Sequence, residues 1–259
     1  MNKTLVDFQE LLQIMDELRE KCPWDRKQDF ESLRYLTIEE VYELGDAILE
    51  KNLQDIKGEL GDLMLHVVFY AKLGSETGAF DMSDVLKGIN KKLIERHPHV
   101  FGNLKVADEH EVKENWEKIK LKRTKRGVLD GVPVSLPSMV KAFRIQEKAR
   151  GVGFEWDTRE QVWAKVMEEL QELKTETDSD KSHEKIEDEF GDLLFALVNY
   201  GRFLNINAEN ALEKTNKKFI RRFKAMEQLA VEKGQKFSEL NLEQQDGLWN
   251  EVKKSEHQK

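Results

Sequence analysis

Residues 165–192 read KVMEELQELKTETDSDKSHEKIEDEFGD, and their spacing decides the fold. Glu168, Glu169 and Glu172 are followed, after a polar gap, by Glu189 and Asp192: E-E-x-x-E, then E-x-x-D. A step of three residues returns to nearly the same face of an α-helix. The spacing therefore puts Glu169 with Glu172 on one helix and Glu189 with Asp192 on the next. Val162, Val166, Leu170 and Leu173 form the apolar stripe expected on the first helix, and Phe190, Leu193, Leu194 and Leu197 the stripe on the second. With a turn over Thr175–Ser182 the two helices run antiparallel, and four carboxylates meet at the rim of a core. Converging carboxylates repel unless protons or a cation neutralise them. Hard oxygen donors at this density suit Mg²⁺, Mn²⁺ or Ca²⁺, and Mg²⁺ is commonly shared between carboxylates and substrate phosphates. A divalent-metal site for a phosphate-bearing ligand is the chemical expectation.

A single E-x-x-D in a chain with 36% charged residues is simply a solvated helix face. Repetition changes that reading. Glu39, Glu40 and Glu43 are followed by Glu59 and Asp62; Glu39 to Glu168 is 129 positions, and Asp62 to Asp192 is 130. GELGDLM around Asp62 matches DEFGDLL around Asp192. Trp24-Asp25 pairs with Trp156-Asp157, NKKLIER from Asn90 with NKKFIRR from Asn216, and NWEKIK around Trp116 with LWNEVK around Trp249. The chain is a tandem duplication. A basic run at 122–126, then Gly127, Pro133 and Pro137, mark the junction, so the expected division is 1–126, a linker 127–137, and 138–259.

Helical periodicity recurs throughout and no β-pattern of useful length occurs, so the fold class is all-α. Expected helices open at Leu5, at Thr37 (a capping box with Glu40), over Asp55–Leu73 with Gly74 as C-cap, over Asp84–Arg96 and over Val112–Lys122. Others are expected over Ser138–Arg150, from Thr158, after Ser182, over Glu209–Val231 and over Leu242–Lys254. His97-Pro98-His99 is read as structural, because the proline spoils ligand geometry. The net charge of −8 argues against nucleic-acid binding but not against a nucleotide. The lone Cys22 fits a reducing cytoplasm. No apolar run is long enough to span a membrane, and the acid-bearing N-terminus reads as neither signal nor transit peptide.

E-E-x-x-E followed by E-x-x-D and a downstream N-x-K-x-x-x-R resembles the MazG family of nucleoside triphosphate pyrophosphohydrolases. CPWD at 22–25, ERHPHVFG at 95–102, GFEWD at 153–157 and the two-copy plan resemble its long bacterial form. The resemblance implies two tandem helical repeats, four-helix-type bundles completed by homodimerisation. It implies Mg²⁺-dependent cleavage of nucleoside triphosphates to monophosphate and pyrophosphate, with broad base specificity. It places Mg²⁺, or Mn²⁺, on Glu169, Glu172, Glu189 and Asp192. Lys185, Lys218 and Arg222 would meet the phosphates, and Glu168 would serve as base. Lys165, Asn216 and Trp249 are further substrate-binding candidates. Glu40, Glu43, Glu59 and Asp62 form a candidate second metal site. Lys165 and Lys185 correspond to Leu36 and Asp55 in the first copy, so the second copy is expected to be the main catalytic one. The rival readings are a di-iron carboxylate bundle, which lacks its Glu-x-x-His pairs here, a non-catalytic helical scaffold, and a narrow dUTP or dCTP pyrophosphatase.

Overall fold

The computed structural model describes residues 2–106, 108, 111–112, 127–179 and 182–256, and among them it contains helices and turns but no strand. The chain divides into two compact units, Met1–Ile119 and Lys120–Lys259. The expected helix bearing Trp116 falls almost wholly outside the described residues, as does the basic run at 122–126.

In the first unit α1 (Lys3–Lys21) stops at Cys22-Pro23. α2 (Phe30–Glu50) and α3 (Leu53–Glu76) form an antiparallel hairpin. α4 (Met82–Arg96) and the single turn α5 (Pro98–Phe101) follow. α1 and α4 both pack on α3, and Met15, Leu33, Val68, Phe69 and Leu73 form the core. The hairpin turn is short because Lys51 adopts a left-handed conformation (φ 58°) and Asn52 immediately caps α3.

Two expected boundaries are displaced. α2 begins seven residues before Thr37, because Asp29 and Ser32 make the reciprocal capping bonds, Ser32 N to Asp29 Oδ1 at 2.7 Å and Asp29 N to Ser32 Oγ at 2.9 Å. Thr37 instead serves inside the helix. Its hydroxyl donates to Leu33 O (3.0 Å) and lies 2.9 Å from His66 Nδ1 and 2.8 Å from the Tyr70 hydroxyl, which ties α2 to α3. Burial holds the His66 imidazole below its ordinary pKa, so this polar knot favours the neutral ring. Gly74 is not a cap either: α3 runs on to Glu76, and the turn falls to Gly78 (φ 66°). A Cβ at Gly74 would sit 2.7 Å from the Phe80 ring, so glycine is there for close approach.

In the second unit α6 (Ser138–Arg150), α7 (Arg159–Asp178), α8 (His183–Phe203), α9 (Ala208–Glu232) and α10 (Leu242–Glu256) repeat the plan. α7 and α8 form the hairpin, α6 and α9 pack on α8, and α10 packs on α9 over Met226, Ala230, Leu248 and Val252. Thr158 caps α7 as expected, in a capping box with Gln161. α7 continues to Asp178, so the turn expected from Thr175 is shorter. The stretch 127–137 is held against α6: Lys148, 4% exposed, donates to Val128 O at 3.1 Å, and Lys141 donates to Val134 O at 2.6 Å.

The apolar stripes are only partly internal. Val162 and Val166 are buried as expected, but Leu170, Phe190, Leu194 and Leu197 are each more than 40% exposed in the single chain. Trp163 and Met167 join them on α7. Trp163 packs 5.0 Å from the Tyr200 ring of α8, the other exposed side chains leave these faces largely open among the described residues, and α6 and α9 pack on α8.

Met15 fills the first core at 1% exposure. Met15→Ala should lower the stability of the first unit by about 2–5 kcal/mol, read from the urea midpoint at unchanged slope. A loss below about 0.5 kcal/mol, the scale of a surface change, would contradict this packing.

Candidate active site

The two hairpins bring together the acids that the spacing predicts. Carboxylate oxygens of Glu169, Glu172 and Glu189 lie within 4.8 Å of one another, and those of Glu40, Glu43 and Glu59 do the same in the first unit. Glu169 is buried, Glu189 half-buried and Glu172 exposed, so the second group opens from the hairpin interior towards solvent. Asp192 and Asp62 stand outside these three-residue groups. Asp192 borders a cavity next to Glu169, and Asp62 is near enough to act on Glu40 and Glu59.

The electrostatic consequences differ between the copies. Loss of solvent, then the charges of Asp62, Glu43 and Glu39, push the Glu40 carboxyl above its ordinary value. Glu59 is raised likewise, by desolvation and then by Glu43 and Glu40, and its Oε2 is buried with no hydrogen-bond partner. In the second unit Glu172 is raised, first by desolvation and then by Glu169. Here two acids share a counter-charge: Lys165 Nζ lies 2.8 Å from Glu168 Oε1 and 2.7 Å from Glu169 Oε1. The hydrogen bonds that Lys165 donates to Glu168 and Glu169 hold its ammonium well above the usual lysine range. Leu36 stands at this place in the first unit, so nothing from α2 neutralises Glu40 there.

Beside the second group lies a cavity of ≈ 670 Å³, within the range of about 300–1,000 Å³ usual for small-molecule sites. Lys165, Glu169 and Asp192 line it together with Glu155 and Arg202, and so do the aromatic Phe154, Trp156 and Phe195. The aromatic wall exists because Gly153 (φ 86°) turns the chain after α6. Phe154 is left 83% exposed at the cavity edge. Below it Arg202 grips Glu155 with two bonds of 2.6 and 2.7 Å. Gln146 and Asn199 also line the cavity.

Sequence reasoning missed this wall. The available signals were GFEWD, with two aromatics behind a glycine, and Gln146, a polar residue on the inward face of α6. Other candidates lie elsewhere in the single chain. Lys185 is exposed in the first turn of α8. Asn216 donates to Glu213 (3.2 Å), and Lys218 is exposed on α9. Arg222 bonds Glu256 at 2.8 Å and lies 5.6 Å over the Trp249 ring. Trp249 packs 5.3 Å from Phe219 over the α9–α10 core. None of these five lines the cavity. For Trp249 the reason is that the indole covers the core where α10 crosses α9.

A family model described as the MazG nucleotide pyrophosphohydrolase domain matches the chain twice, over residues 28–101 and 157–226. The chain belongs to the MazG family. Each MazG match contains one of the two acidic groups. Gln146, Phe154 and Trp156 precede the second match, and Trp249 follows it. The chain is 45% identical over 98% of both chains to a Thermotoga maritima protein named nucleoside triphosphate pyrophosphohydrolase/pyrophosphatase MazG. It is 41% identical, over 95% of its own length and 97% of the relative's, to the nucleoside triphosphate pyrophosphohydrolase of Escherichia coli K12. A Bacillus subtilis protein, YabN, is 44% identical over 96% of this chain, which spans 52% of that relative.

The raised Glu172 carboxyl has a thermodynamic signature. A carboxyl whose folded pKa exceeds its unfolded value binds its proton more tightly in the folded state, so its ionisation destabilises the fold as pH rises through the folded pKa. Glutamine imitates the neutral acid. In chelator, Glu172→Gln should melt above the wild type at pH 7–8, with the gap closing as pH falls towards 4.5. A constant gap from pH 8 to 4.5, or a less stable variant at pH 8, would contradict the repulsion.

Proposed function

We propose that this protein hydrolyses nucleoside triphosphates to monophosphates and pyrophosphate, at the α7–α8 hairpin of the second unit. The observation that carries this reading is the junction there of three converging carboxylates with a nucleoside-sized cavity, in a chain whose full-length relatives are named for that activity. Glu169, Glu172, Glu189 and Asp192 would hold a divalent cation, Mg²⁺ or Mn²⁺. An all-oxygen donor set in which the Glu172 carboxyl is pushed towards protonation fits such an ion. When bound, the ion supplies the positive charge that a triphosphate requires.

The chain's own residues have distinct tasks. The aromatic wall takes the base and directs the triphosphate towards the carboxylates. Lys165, on the border between cavity and acids, exchanges part of its pairing with Glu168 and Glu169 for a phosphate oxygen, and Lys185 on α8 offers a second cation. Glu168, once released from Lys165, accepts a proton from the attacking water. A new oxygen–phosphorus bond forms at the α-phosphorus, the bond to the bridging oxygen breaks, and pyrophosphate leaves with that oxygen.

The reading includes a homodimer. The apolar faces of α7 and α8 left open within one chain suit a second copy, and α9 carries a further row in Phe219, Ile220 and Phe223. Asn216, Lys218, Arg222 and Trp249 contribute to substrate binding only through such pairing. Broad base specificity belongs to the same proposal, as does a cytoplasmic site of action. The lone cysteine suits a reducing compartment, and no helix among the described residues is long and apolar enough to cross a membrane. The first unit keeps its acids but has Leu36 for Lys165 and Asp55 for Lys185, and its role is weaker turnover, cation binding or assembly.

The test is a panel of ribo- and deoxyribonucleoside triphosphates with and without Mg²⁺, with products separated. Monophosphate and pyrophosphate should appear only with the cation. Glu172→Gln should lower kcat/KM by roughly a hundredfold or more, the scale of losing a group that stabilises transition-state charge, while Glu43→Gln should cost only a few-fold. Diphosphate and phosphate as products would overturn the reaction, and the reverse ranking of the variants would overturn the choice of unit.

A further inference from the structure

Gln146 is 6% exposed, yet it lines the cavity. Its Nε2 donates to Phe195 O at 2.8 Å, while its Oε1 is buried with no hydrogen-bond partner. A carbonyl can only accept, so the amide must turn its NH₂ to Phe195, and the oxygen is left as a buried, unsatisfied acceptor. A buried acceptor without a partner is destabilising and rare in folded proteins, and a ligand donor is its natural complement.

Asn199 lies one turn beyond Phe195 on α8. Its Oδ1 accepts from Arg202 Nη2 (2.7 Å) and Nε (3.2 Å). A guanidinium only donates, so this amide is also fixed in one sense, with Nδ2 turned away from Arg202. Arg202 is in turn immobilised by Glu155. Two amides, Gln146 from α6 and Asn199 from α8, thus line the cavity, each held in one orientation. Neither is charged, the Arg202 and Glu155 that also line the cavity neutralise each other, and the aromatic Phe154 and Trp156 share it. This chemistry suits a flat heterocycle rather than a phosphate. The position 130 residues before Asn199 is Phe69, which is buried in the core of the first unit, so the first copy lacks the donor.

We infer that Gln146 and Asn199 read the hydrogen-bonding edge of the nucleobase, with Gln146 Oε1 accepting a base N–H and Asn199 Nδ2 donating to a ring nitrogen or carbonyl. The inference rests on the pyrophosphohydrolase reading and adds its specificity. Adenine, cytosine, guanine and uracil each offer a donor beside an acceptor, so the pair discriminates against a base with no N–H. Gln146 and Asn199 are thus residues of base selection, and the carboxylates supply the chemistry.

The test compares ATP with purine riboside triphosphate, which keeps the ring but has no N–H on the base, using full-length protein with Mg²⁺. Wild type should favour ATP in kcat/KM by roughly ten- to a hundredfold, mainly through KM, the scale of one unsatisfied buried group. Gln146→Met, close in volume, should bring the two substrates together. The ratio between substrates is unaffected by a general loss of stability. Should Gln146→Met not fold, the wild-type comparison and Asn199→Ala decide, the latter also predicted to raise KM for ATP. A wild type indifferent to the two substrates, or a variant that slows both in proportion, overturns this inference and leaves the activity standing. A wild type that releases no pyrophosphate from any triphosphate overturns the activity, and this inference with it.

Discussion

Carboxylates held within 4.8 Å of one another repel, and the helix hairpin is what holds them there. The i, i+3 spacing sets the acids of each helix side by side, and the antiparallel turn brings the two pairs face to face. Packing against α1 or α6 prevents the hairpin from opening. The raised carboxyls of Glu40, Glu59 and Glu172 are the mark of that constraint. A hairpin optimised for stability alone would place neutral or opposite charges at these positions. Retaining like charges, in both copies, accepts lower stability in the ion-free state, and the proposed cation site is what would offset it.

The two copies resolve the same constraint differently. In the second, Lys165 offsets Glu168 and Glu169, and a cavity opens beside them. In the first, the acids have no such lysine, and Phe69 occupies the position of Asn199 as part of a filled core with Met15. One duplication has thus yielded a unit with room for a nucleoside and a unit whose interior is used for packing. The exposed apolar side chains of α7, α8 and α9 are where the proposed pairing of two copies would bring Trp249 and Arg222 to the substrate.

Much of the fold was legible because helical spacing and duplication are local or countable. The acidic groups followed from two short motifs, and the start of α7 was expected at Thr158 or nearby. Other boundaries were not legible for identifiable reasons. Thr37-x-x-Glu40 and Asp29-x-x-Ser32 both look like helix starts, and only the contact of Thr37 with His66 and Tyr70 shows that the helix passes through the first of them. Gly74 looked like a stop because the approach of Phe80 cannot be read locally. The cavity was missed because residues 151–156 must fold back beside α8 to build it. Trp249 was drawn towards the site by its place in the repeat, whereas in one chain its ring covers the α9–α10 core.

The central claim is that acids from α7 and α8 share one cation. Anomalous scattering from crystals grown with Mn²⁺ tests it directly. A peak about 2.0–2.6 Å from oxygens of Glu169, Glu172 and Glu189, the span of hard-cation bonds, is the predicted result. Ordered Mn²⁺ elsewhere in the crystal, with none between those three side chains, would contradict it.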